Sequence, residues 1–471
     1  MKRRHFLKVS AATGAAGMLP YSKLRAGSEN ASNYFSVHPF IDANPDAVFI
    51  MRTAASSKYD TAGKKQAGEA FGASVFSLTD DAANGFPLSH NIVLKPNLTS
   101  RGEWQTGYTV ERTMGVITDS IFVEGMIESM KSQLGLPGSQ FYIREVNGSE
   151  NIADGGYGDL AQRTGADVKT IGTQVNNLSP DKVVWKQAPD GVWFDQIPYL
   201  WPVNSPESVL LNIAKLKSHG MGMTLTAKNL QGTIAAKYQQ HCTAHNRDMS
   251  INFNHVRPNA KSTILDNYNR HLADGIPRWD RPGQTGGLWQ ETWGTRCIDN
   301  NSTTKPALHI IEGIYGHDGN FVQGPHDGLA ADFMTNVLIF GKNPYHVDII
   351  GTWLAGHEPG NFGLFHMALE RGLSTLLNPK DIPVFEWFDD GSATETPLDT
   401  FERTPLKTYY LQRDYDSQNE DYWHLVDEAY EYSTTNVAAQ NPVAPSNFEV
   451  QQNYPNPFNG GTSIEYILPK A

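Results

Sequence analysis

Cysteine is nearly absent from this sequence of 471 residues, which contains only Cys242 and Cys297. An iron–sulfur cluster needs about four ligands, usually cysteine thiolates, so we expect no such cluster in this chain. In an oxidising compartment the two cysteines could form one disulfide bond. Two buried free thiols are the alternative, and the sequence does not distinguish between them.

Long apolar runs and positive charge are also scarce. The modestly apolar stretch from Val9 to Leu19 is too short to cross a bilayer, which takes about 20 residues, and no other segment is long and apolar enough. Residues 1–27 contain six Lys or Arg and no acidic residue, so the remainder has 32 basic against 50 acidic residues. A net charge of −18 with neutral histidine disfavours nucleic acid and anionic membranes as partners.

The first 27 residues are typical of an export signal. The segment from Lys2 to Lys8 matches the twin-arginine pattern R-R-x-F-L-K, and small residues follow near Ala26-Gly27. We therefore expect residues 1–27 to be a signal peptide and the twin-arginine translocase to be a partner. That route carries folded proteins, so a cofactor could be inserted before export to the periplasm.

Apolar runs of strand length alternate with amphipathic stretches of helix length. The first unit predicts a strand at 91–94, a helix at 109–134 and a strand at 140–146, the pattern of a parallel sheet. Further strands are predicted at 208–214, 307–311 and 337–340, and further helices at 346–355 and 364–371. The predicted fold class is α/β, a mainly parallel or mixed sheet flanked by helices, with a long insertion and a C-terminal arm.

Residues 208–233 carry the clearest chemical signal. An apolar run is followed by Lys215, Lys217 and His219, and alternate side chains of a strand share a face. Three cations on one face would repel each other unless an anion lies between them. The stretch therefore predicts a site for a carboxylate, phosphate or acidic side chain. The alternative is that the lysines are solvated residues of an edge strand.

Four predicted strands end in polar residues. These ends are Lys95-Pro96-Asn97, Glu145-Val146-Asn147-Gly148, Lys217-Ser218-His219 and Glu312-Gly313. Because ligands of α/β proteins gather beyond the carboxyl ends of the strands, we expect these residues to converge. Glu145 and Glu312 could balance the lysines or bind a cation with His219. For Glu145 and Asn147, an ordinary strand-to-loop role fits equally well.

The same residues resemble those of a known family. Lys215 to His219, followed by Thr224 to Gly232, is similar to the K-L-K-T-H and T-x-x-x-K-N-L-x-G signature of the domain of unknown function 362 family. Leu94 to Leu98 resembles its early K-P-N-L, and the resemblance covers most of residues 90–376. Other similar segments are Ile310 to Ile314, Gly316 to Asn320 and Asn343 to Asp348. The chain departs from the family where Glu312 replaces the usual Asp, where three residues separate Asn320 from Gly324-Pro325, and through an insertion at about 258–304.

The resemblance sharpens the expected site but not the reaction, because the activity of the family is not established. We expect Lys217 and His219 to be the catalytic residues. We expect the substrate to be bound by Lys95, Asn97, Lys215, Lys228, Asn229, Glu312, Asp318 and Asn320. Some relatives are described as iron–sulfur proteins, a property that a chain with two cysteines should not share.

A divalent metal is a possible cofactor. His241 and His245 are four residues apart and could share a helical face, and two histidines with a carboxylate can bind Zn or Fe. The resemblance favours His241, which matches a histidine that often follows the family signature, and Glu145 is the candidate carboxylate. Because the H-E-x-x-H motif is missing, the cofactor stays open.

The remainder of the chain divides by composition. We expect an α/β core at 28–390, an acidic and aromatic arm at 391–440 and a Pro-rich linker at 441–447. Residues 448–471 resemble the opening of the type IX secretion C-terminal sorting domain, although its later strands are missing, so that domain should be truncated. This resemblance implies the type IX machinery as a partner and a location at the cell surface or outside the cell.

Two classes of function follow. In the first, the protein is an envelope enzyme acting on a small anionic substrate, with Lys217 and Lys228 holding the anion and His219 acting as general acid or base. In the second, it is a non-catalytic protein that captures an anionic ligand or the acidic segment of a partner. A group in the pocket with a pKa near the working pH would favour the enzyme.

Overall fold

The computed structural model of this chain describes a defined set of residues: 32–98, 114–146, 152–153, 155–170, 180–219, 222–235, 256–277, 286–318, 323–324, 328–407, 429–432, 449–450 and 466–467. The chain divides into two compact units, residues 1–430 and 431–471. In the second unit, two short strands, Glu449–Val450 and Tyr466–Ile467, form an antiparallel pair.

The first unit contains strands and helices in the following order along the chain. The strands are β1 Tyr34–Val37, β2 Val48–Arg52, β3 Phe76–Thr79, β4 Phe86–Pro87, β5 Asn91–Pro96, β6 Phe141–Glu145, β7 Asp167–Thr170, β8 Val183–Gln187, β9 Gln196–Leu200, β10 Ser208–His219, β11 Gly222–Thr224, β12 Leu308–His317, β13 Gln323–Gly324, β14 Gly328–Leu329, β15 Asp332–Gly341, β16 Val384–Trp387 and β17 Ala393–Glu395. The helices are α1 Pro39–Asp42, α2 Thr61–Val75, α3 Ser120–Leu134, α4 Tyr157–Thr164, α5 Thr226–Asn229, α6 Ala260–Ala273, α7 Gly286–Thr303, α8 Pro344–Leu354 and α9 Gly363–Glu370.

A mixed sheet runs through the first unit. Its strand order is β17-β16-β2-β15-β12-β10-β5-β6-β7, and β11 pairs with the end of β10. The strands β12, β10, β5, β6 and β7 are parallel to one another, whereas β15 is antiparallel to both β12 and β2. The predicted α/β class, with a mainly parallel or mixed sheet flanked by helices, is confirmed.

Strand β10 lies in the interior of this sheet. It pairs with β5 on one side and β12 on the other, and every residue from Val209 to His219 is buried. A parallel strand covered on both faces reads as a nearly continuous apolar run, which explains the sequence before Lys215. Lys215 and Lys217 are each 0 % exposed, so the alternative of solvated edge-strand lysines is wrong.

Helices cover both faces of the sheet. Phe71 of α2 and Phe122 of α3 belong to the core cluster that contains Leu211 of β10. Trp293 of α7 and Ile350 of α8 belong to the opposite cluster, with Ala214 of β10. Helices α6 and α7 come from the predicted insertion at 258–304, so this segment supplies part of the core.

Helices α2 and α3 cross closely because each has a glycine at the crossing. A Cβ on Gly125 would lie 2.2 Å from the Lys65 carbonyl oxygen, and a Cβ on Gly68 would lie 2.1 Å from that of Phe122. These distances are too short for any side chain, so the crossing requires glycine on both helices.

Helix α3 begins later than predicted. The predicted helix at 109–134 starts at Ser120 in the structure, because the Asp119 carboxylate accepts a hydrogen bond from the Ile121 amide at 2.9 Å and caps the helix. Residues 114–119 lie outside the helix, and residues 109–113 are outside the described part of the chain. The predicted strands at 208–214, 307–311 and 337–340 are all longer in the structure.

The first residues of the predicted C-terminal arm at 391–440 belong to the sheet. Strand β17 pairs with β16 at its edge, and Leu398, Phe401 and Leu406 pack in the core. Residues 391–407 are therefore continuous with the core domain. The other predicted boundaries fall largely on residues outside the described ranges and stay predictions.

Candidate functional site

A buried ion pair between Lys95 and Glu145, each 1 % exposed, lies at the carboxyl ends of the parallel strands. Lys95 Nζ donates to Glu145 Oε2 at 2.7 Å and to Asn229 Oδ1 at 3.0 Å. Glu145 also accepts hydrogen bonds from the backbone amides of Leu98 and Val146, at 3.3 and 2.8 Å. Burial lowers the pKa of Lys95, and the charge of Glu145 opposes this shift. The pair ties the ends of β5 and β6 to α5.

Gly232 leaves the space that this pair occupies. A Cβ at this position would lie 2.3 Å from Glu145 Oε1 and 2.6 Å from Lys95 Cε. The Gly232 carbonyl also accepts a hydrogen bond from the Val146 amide at 2.9 Å. The K-N-L-x-G pattern therefore ends in glycine because its backbone contacts the ion pair and leaves no room for a side chain.

A second buried ion pair joins Lys215 of β10 to Glu312 of β12. Lys215 Nζ donates to both carboxylate oxygens, at 2.9 and 2.8 Å, and lies 3.5 Å from the centre of the Tyr315 ring. Glu312 also accepts hydrogen bonds from the backbone amides of Asp119 and Ile314, at 3.1 and 3.0 Å. Both members of the pair are 0 % exposed.

A further ionic contact lies next to the second pair, at Asp119 before the start of α3. Lys64 Nζ of α2 and the Tyr315 hydroxyl donate to Asp119 Oδ2, at 2.7 and 2.9 Å. Burial and the neighbouring carboxylates, first Asp119 and then Glu312, raise the pKa of Tyr315 well above its ordinary value. The phenol therefore stays protonated and remains a donor.

The two pairs lie on opposite faces of the sheet. Lys95 is level with Asn212 in the ladder and contacts α5, whereas Lys215, three positions further along β10, binds Glu312, which accepts from the Asp119 amide at the start of α3. The ladder between β10 and β12 shifts register between Lys215 and Lys217. The predicted anion shared by Lys215, Lys217 and His219 stays a prediction. The ammonium group of Lys215 is held by Glu312.

Lys217, His219 and Lys228 are all buried, with exposures of 0, 3 and 4 %. In the ladder, Lys217 lies between Thr224 of β11 and His317 of β12. His219 ends β10, and Lys228 lies in α5, which follows the β10–β11 hairpin in the chain. The predicted catalytic and anion-binding roles of these residues stay predictions.

Helix α5, which carries Lys228 and Asn229, is held at its start by Asp348 of α8. The carboxylate accepts hydrogen bonds from the Thr226 amide and hydroxyl at 2.7 and 2.6 Å and from the Ala227 amide at 2.8 Å. Burial raises the pKa of Asp348 to about 7, although these hydrogen bonds act in the opposite direction. Asp348 therefore fixes the position of α5 through a group that titrates near neutral pH.

A small internal cavity of about 10 Å³ lies beside Lys228, with room for about one water molecule. Asp348 lines it, together with apolar residues that include Phe362. Two polar atoms of residues that line it, Trp293 Nε1 and Thr352 Oγ1, are buried without a hydrogen-bond partner in the described structure. Buried polar atoms are nearly always paired, so these two atoms indicate that a hydrogen-bond partner is missing near this cavity.

A chain of side-chain hydrogen bonds leads from Lys95 across the middle of the sheet. Asn229, which accepts from Lys95, donates through Nδ2 to Asn212 Oδ1 at 2.8 Å. Asn212 Nδ2 lies 3.0 Å from His309 Nδ1. Burial, and to a lesser degree Lys305, lower the pKa of His309 to about 3, so its ring is neutral.

Asn97 joins the first pair, and Asp318 lies apart from it. Asn97 Nδ2 donates to the same Asn229 oxygen, at 3.2 Å. Asp318 follows β12, and its Oδ1 accepts a hydrogen bond from the Ala331 amide at 2.9 Å, next to the start of β15. Asn320, also predicted to bind substrate, is outside the described residues.

The predicted metal ligands are described only in part. Both Glu145 oxygens accept hydrogen bonds, while His241 and His245 are outside the described residues. Among the residues that the structure describes, no group of three or more His, Cys, Asp or Glu side chains is arranged to hold a metal ion. Cys297 is a buried free thiol, and Cys242 is outside the described ranges.

Several residues of this region were absent from the predicted set. They are Lys64, Asp119, Asn212, Trp293, Tyr315, Asp348 and Thr352. Two of them had a usable signal in the sequence: Asp348 ends a segment resembling a family motif, and Asp119, within the predicted helix at 109–134, is a residue type that favours the N-cap position. The others come from distant segments whose packing the sequence does not reveal.

Together the fold and these contacts define an α/β protein in which charged side chains from four adjacent parallel strands are buried in pairs near the strand ends. A family model described as a domain of unknown function (DUF362) matches residues 92–353. Because this is more than half of the chain, the protein belongs to that family.

The remaining comparisons concern export and relatives. A twin-arginine translocation signal matches residues 1–20, so this is an exported protein addressed to that translocase. In the described part of the chain, no helix has the length and apolar character needed to cross a membrane. No curated protein and no solved structure gives a significant match.

Proposed function

We propose that this exported protein is an enzyme acting on a small anionic substrate at the carboxyl ends of β10 and its neighbours. Lys217 and Lys228 hold the anion, and His219 serves as general acid or base. The two lysine–glutamate pairs form the rigid surroundings of the site. Lys95 and Lys215 are thus positioning residues, which reach the ligand only through a rearrangement of their pairs.

The observation that carries this proposal is the cavity beside Lys228. The residues that line it include Lys228 and Thr352, Trp293, whose N–H can only donate, and Asp348. Donors in an apolar surrounding favour an oxygen-bearing anion, because each interaction is stronger away from water. A cavity of about 10 Å³ admits only one small group, so the remainder of the substrate would lie outside it.

A titrating group in the cavity wall favours the enzyme over the non-catalytic binding protein. Asp348 has a pKa of about 7, within the range in which enzymes tune acid–base groups. Its oxygens are engaged by the start of α5, so its protonation would act through the position of Lys228. A protein that only captures an anion needs fixed charge and no such group.

Calorimetric titration with inorganic phosphate and with succinate tests the anion site. Lys217→Met and Lys228→Met should each weaken binding by roughly 2–5 kcal/mol, the cost of removing a buried charged partner. Lys131, whose salt bridge with Glu128 is partly exposed, gives the control variant Lys131→Met, which should bind as the wild type does. Wild-type affinity in both site variants would refute the pocket.

His219→Asn distinguishes an enzyme from a binding protein. Asparagine can form hydrogen bonds but cannot transfer a proton at neutral pH. If the protein is an enzyme, this variant should keep its ligand but lose turnover of whatever substrate copurifies with protein from its own host. Native mass spectrometry would identify that substrate. Unchanged turnover in His219→Asn would remove His219 from the mechanism.

A divalent metal assisting this reaction is part of the proposal, with His241 and Glu145 as its ligands. A metal bound by Glu145 would have to compete with Lys95 for the carboxylate. Elemental analysis of the protein from its own host should then find about one equivalent of metal that His241→Ala lacks. Metal-free protein with full turnover would contradict this part.

We further propose that residues 448–471 direct the exported protein through the type IX machinery, because their sequence resembles the opening of a sorting domain. A periplasmic reporter fused to residues 441–471 should then reach the surface of a host that has this machinery. A reporter that stays in the periplasm would contradict the sorting role. The twin-arginine signal would be unaffected by either outcome.

A further inference from the structure

A cleft of about 330 Å³ opens at the end of the sheet where its parallel strands begin. It is lined by the residues before β12, by the end of β15 and by the first turn of α8. Small-molecule pockets in proteins measure about 300–1,000 Å³, so the cleft suits a ligand at the small end of that range. It is distinct from the cavity beside Lys228.

Two of the charged residues that line this cleft, Asp46 and Lys305, form no ion pair with each other. The Asp46 side chain is 65 % exposed, and its basic neighbour is His346, 4.0 Å away. The Nδ1 atom of His346 lies 2.8 Å from the Asp46 carbonyl oxygen, and burial lowers the pKa of His346, so the ring is neutral at pH 7. Lys305 also lines the cleft, is exposed and has no salt bridge to any described residue.

Asn301, which lines the cleft, carries a buried hydrogen-bond acceptor. Its Nδ2 donates to the carbonyl oxygens of Ala227 and Cys297, at 2.8 and 2.7 Å. Its Oδ1 is buried without a hydrogen-bond partner among the described residues, and the residue is 5 % exposed. An unpaired buried acceptor costs about 1–3 kcal/mol, and a ligand N–H or O–H group would remove that cost.

We propose that this cleft binds a small zwitterion that carries a carboxylate and an ammonium group, of the class of the free α-amino acids. Lys305 binds the carboxylate, Asp46 binds the ammonium group, and Asn301 Oδ1 accepts a hydrogen bond from the ligand. His309, whose ring is neutral, and Thr304 also line the cleft, and the remaining cation of the lining, Lys342, is engaged in an ion pair with Asp42. This proposal is independent of the function proposed for Lys217, His219 and Lys228.

Three matched probes test the charge requirement on the full chain. L-Alanine has both charged groups, propionate lacks the ammonium group, and n-propylamine lacks the carboxylate. In calorimetric titrations we expect saturable binding of L-alanine, at least about tenfold tighter than that of either probe with one charge. Equal binding of propionate would overturn the assignment to a zwitterion, and absence of saturable L-alanine binding would overturn the site itself.

Surface variants locate the binding without disturbing the fold. Lys305→Met and Asp46→Asn should each weaken L-alanine binding at least about tenfold. Lys380→Met and Asp80→Asn, at exposed positions outside the cleft, should leave it unchanged. Lys228→Met should also leave it unchanged, which separates this proposal from the anion site. Wild-type affinity in both cleft variants would place the zwitterion elsewhere and overturn the proposal.

Discussion

At the residue scale, backbone amides stabilise the carboxylates of both buried ion pairs. Glu145 accepts from the amides of Leu98 and Val146, and Glu312 accepts from two amides as well. Desolvation of two charges is repaid only when the remaining hydrogen-bonding capacity is also satisfied. Each glutamate therefore holds its lysine at a fixed place, and the strand ends are set before any ligand arrives.

Breaking the first pair should be strongly destabilising. Lys95→Met leaves the Glu145 carboxylate buried without its cation, so we expect the free energy of unfolding to fall by roughly 3–5 kcal/mol. The double variant Lys95→Met/Glu145→Gln should lose less than the sum of the two single losses. Urea unfolding of the four proteins gives the coupling energy.

The control for that cycle is an exposed pair. Lys182 lies 3.3 Å from Asp181, with side-chain exposures of 46 and 67 %, and Lys182→Met should cost less than about 1 kcal/mol. If the losses in free energy of unfolding caused by Lys95→Met and Glu145→Gln are strictly additive, the contact between Lys95 and Glu145 adds nothing to stability.

At the scale of single elements, helix α5 depends on another helix for its start. It spans four residues, too few to be stable alone, and its first amides are bound by Asp348 of α8. The position of Lys228 and Asn229 is therefore set by α8 as well as by their own chain segment. This arrangement makes the site sensitive to the protonation of Asp348.

Stability should decrease as the pH rises towards neutrality because of Asp348. Its native pKa of about 7 lies above the ordinary value of 3.8, so the native state binds the proton more tightly than the unfolded chain does. The resulting stabilisation is complete below pH 3.8 and is lost as the pH rises to about 7. Asp348→Asn does not take up or lose this proton. The free energy of unfolding of the variant minus that of the wild type should therefore increase as the pH rises over this range. Urea unfolding at several pH values measures the difference, and a constant difference would contradict the assignment.

The α2–α3 crossing gives a second prediction for single elements. Gly125→Ala places a Cβ 2.2 Å from the Lys65 carbonyl oxygen, and the helices must separate to admit it. We expect a loss of roughly 1–3 kcal/mol in the free energy of unfolding. A Cβ on Gly158, in α4, would have no neighbouring atom within 4 Å, and Gly158→Ala should raise stability by about 0.5–1 kcal/mol. Equal effects of the two variants in thermal unfolding would show that the crossing is not tight.

The sequence predicted some parts of the site and could not predict others. Apolar runs with polar ends were sufficient to place Lys95 and Glu145, because both depend on the strand pattern alone. Which glutamate pairs with which lysine was not predictable, because the partners are far apart in the sequence, by 50 residues for Lys95 and Glu145 and by 97 for Lys215 and Glu312. Helix α7 was also missed, because its buried face includes polar residues such as Thr292 and Asn300 and has no apolar period.

At the scale of the whole molecule, export and folding are connected. The twin-arginine signal at residues 1–20 addresses a route that carries folded proteins, so the buried ion pairs should form before export. Replacing Arg3 and Arg4 with lysine should leave the precursor in the cytoplasm, folded and stable. Cell fractionation with immunoblotting measures this. Export of the variant at the wild-type level would contradict dependence on this route.

The chain of side-chain hydrogen bonds from Lys95 to His309 also has a direction. Lys95 can only donate, so Asn229 presents its oxygen to Lys95 and its amide nitrogen to Asn212. Asn212 then presents its own nitrogen to His309, and the Nδ1 atom of that ring must accept. The lysine charge on β5 thereby selects the tautomer of a histidine two strands away, with the ring proton on Nε2. The imidazole nitrogen signals of His309 would report whether Lys95 is in place.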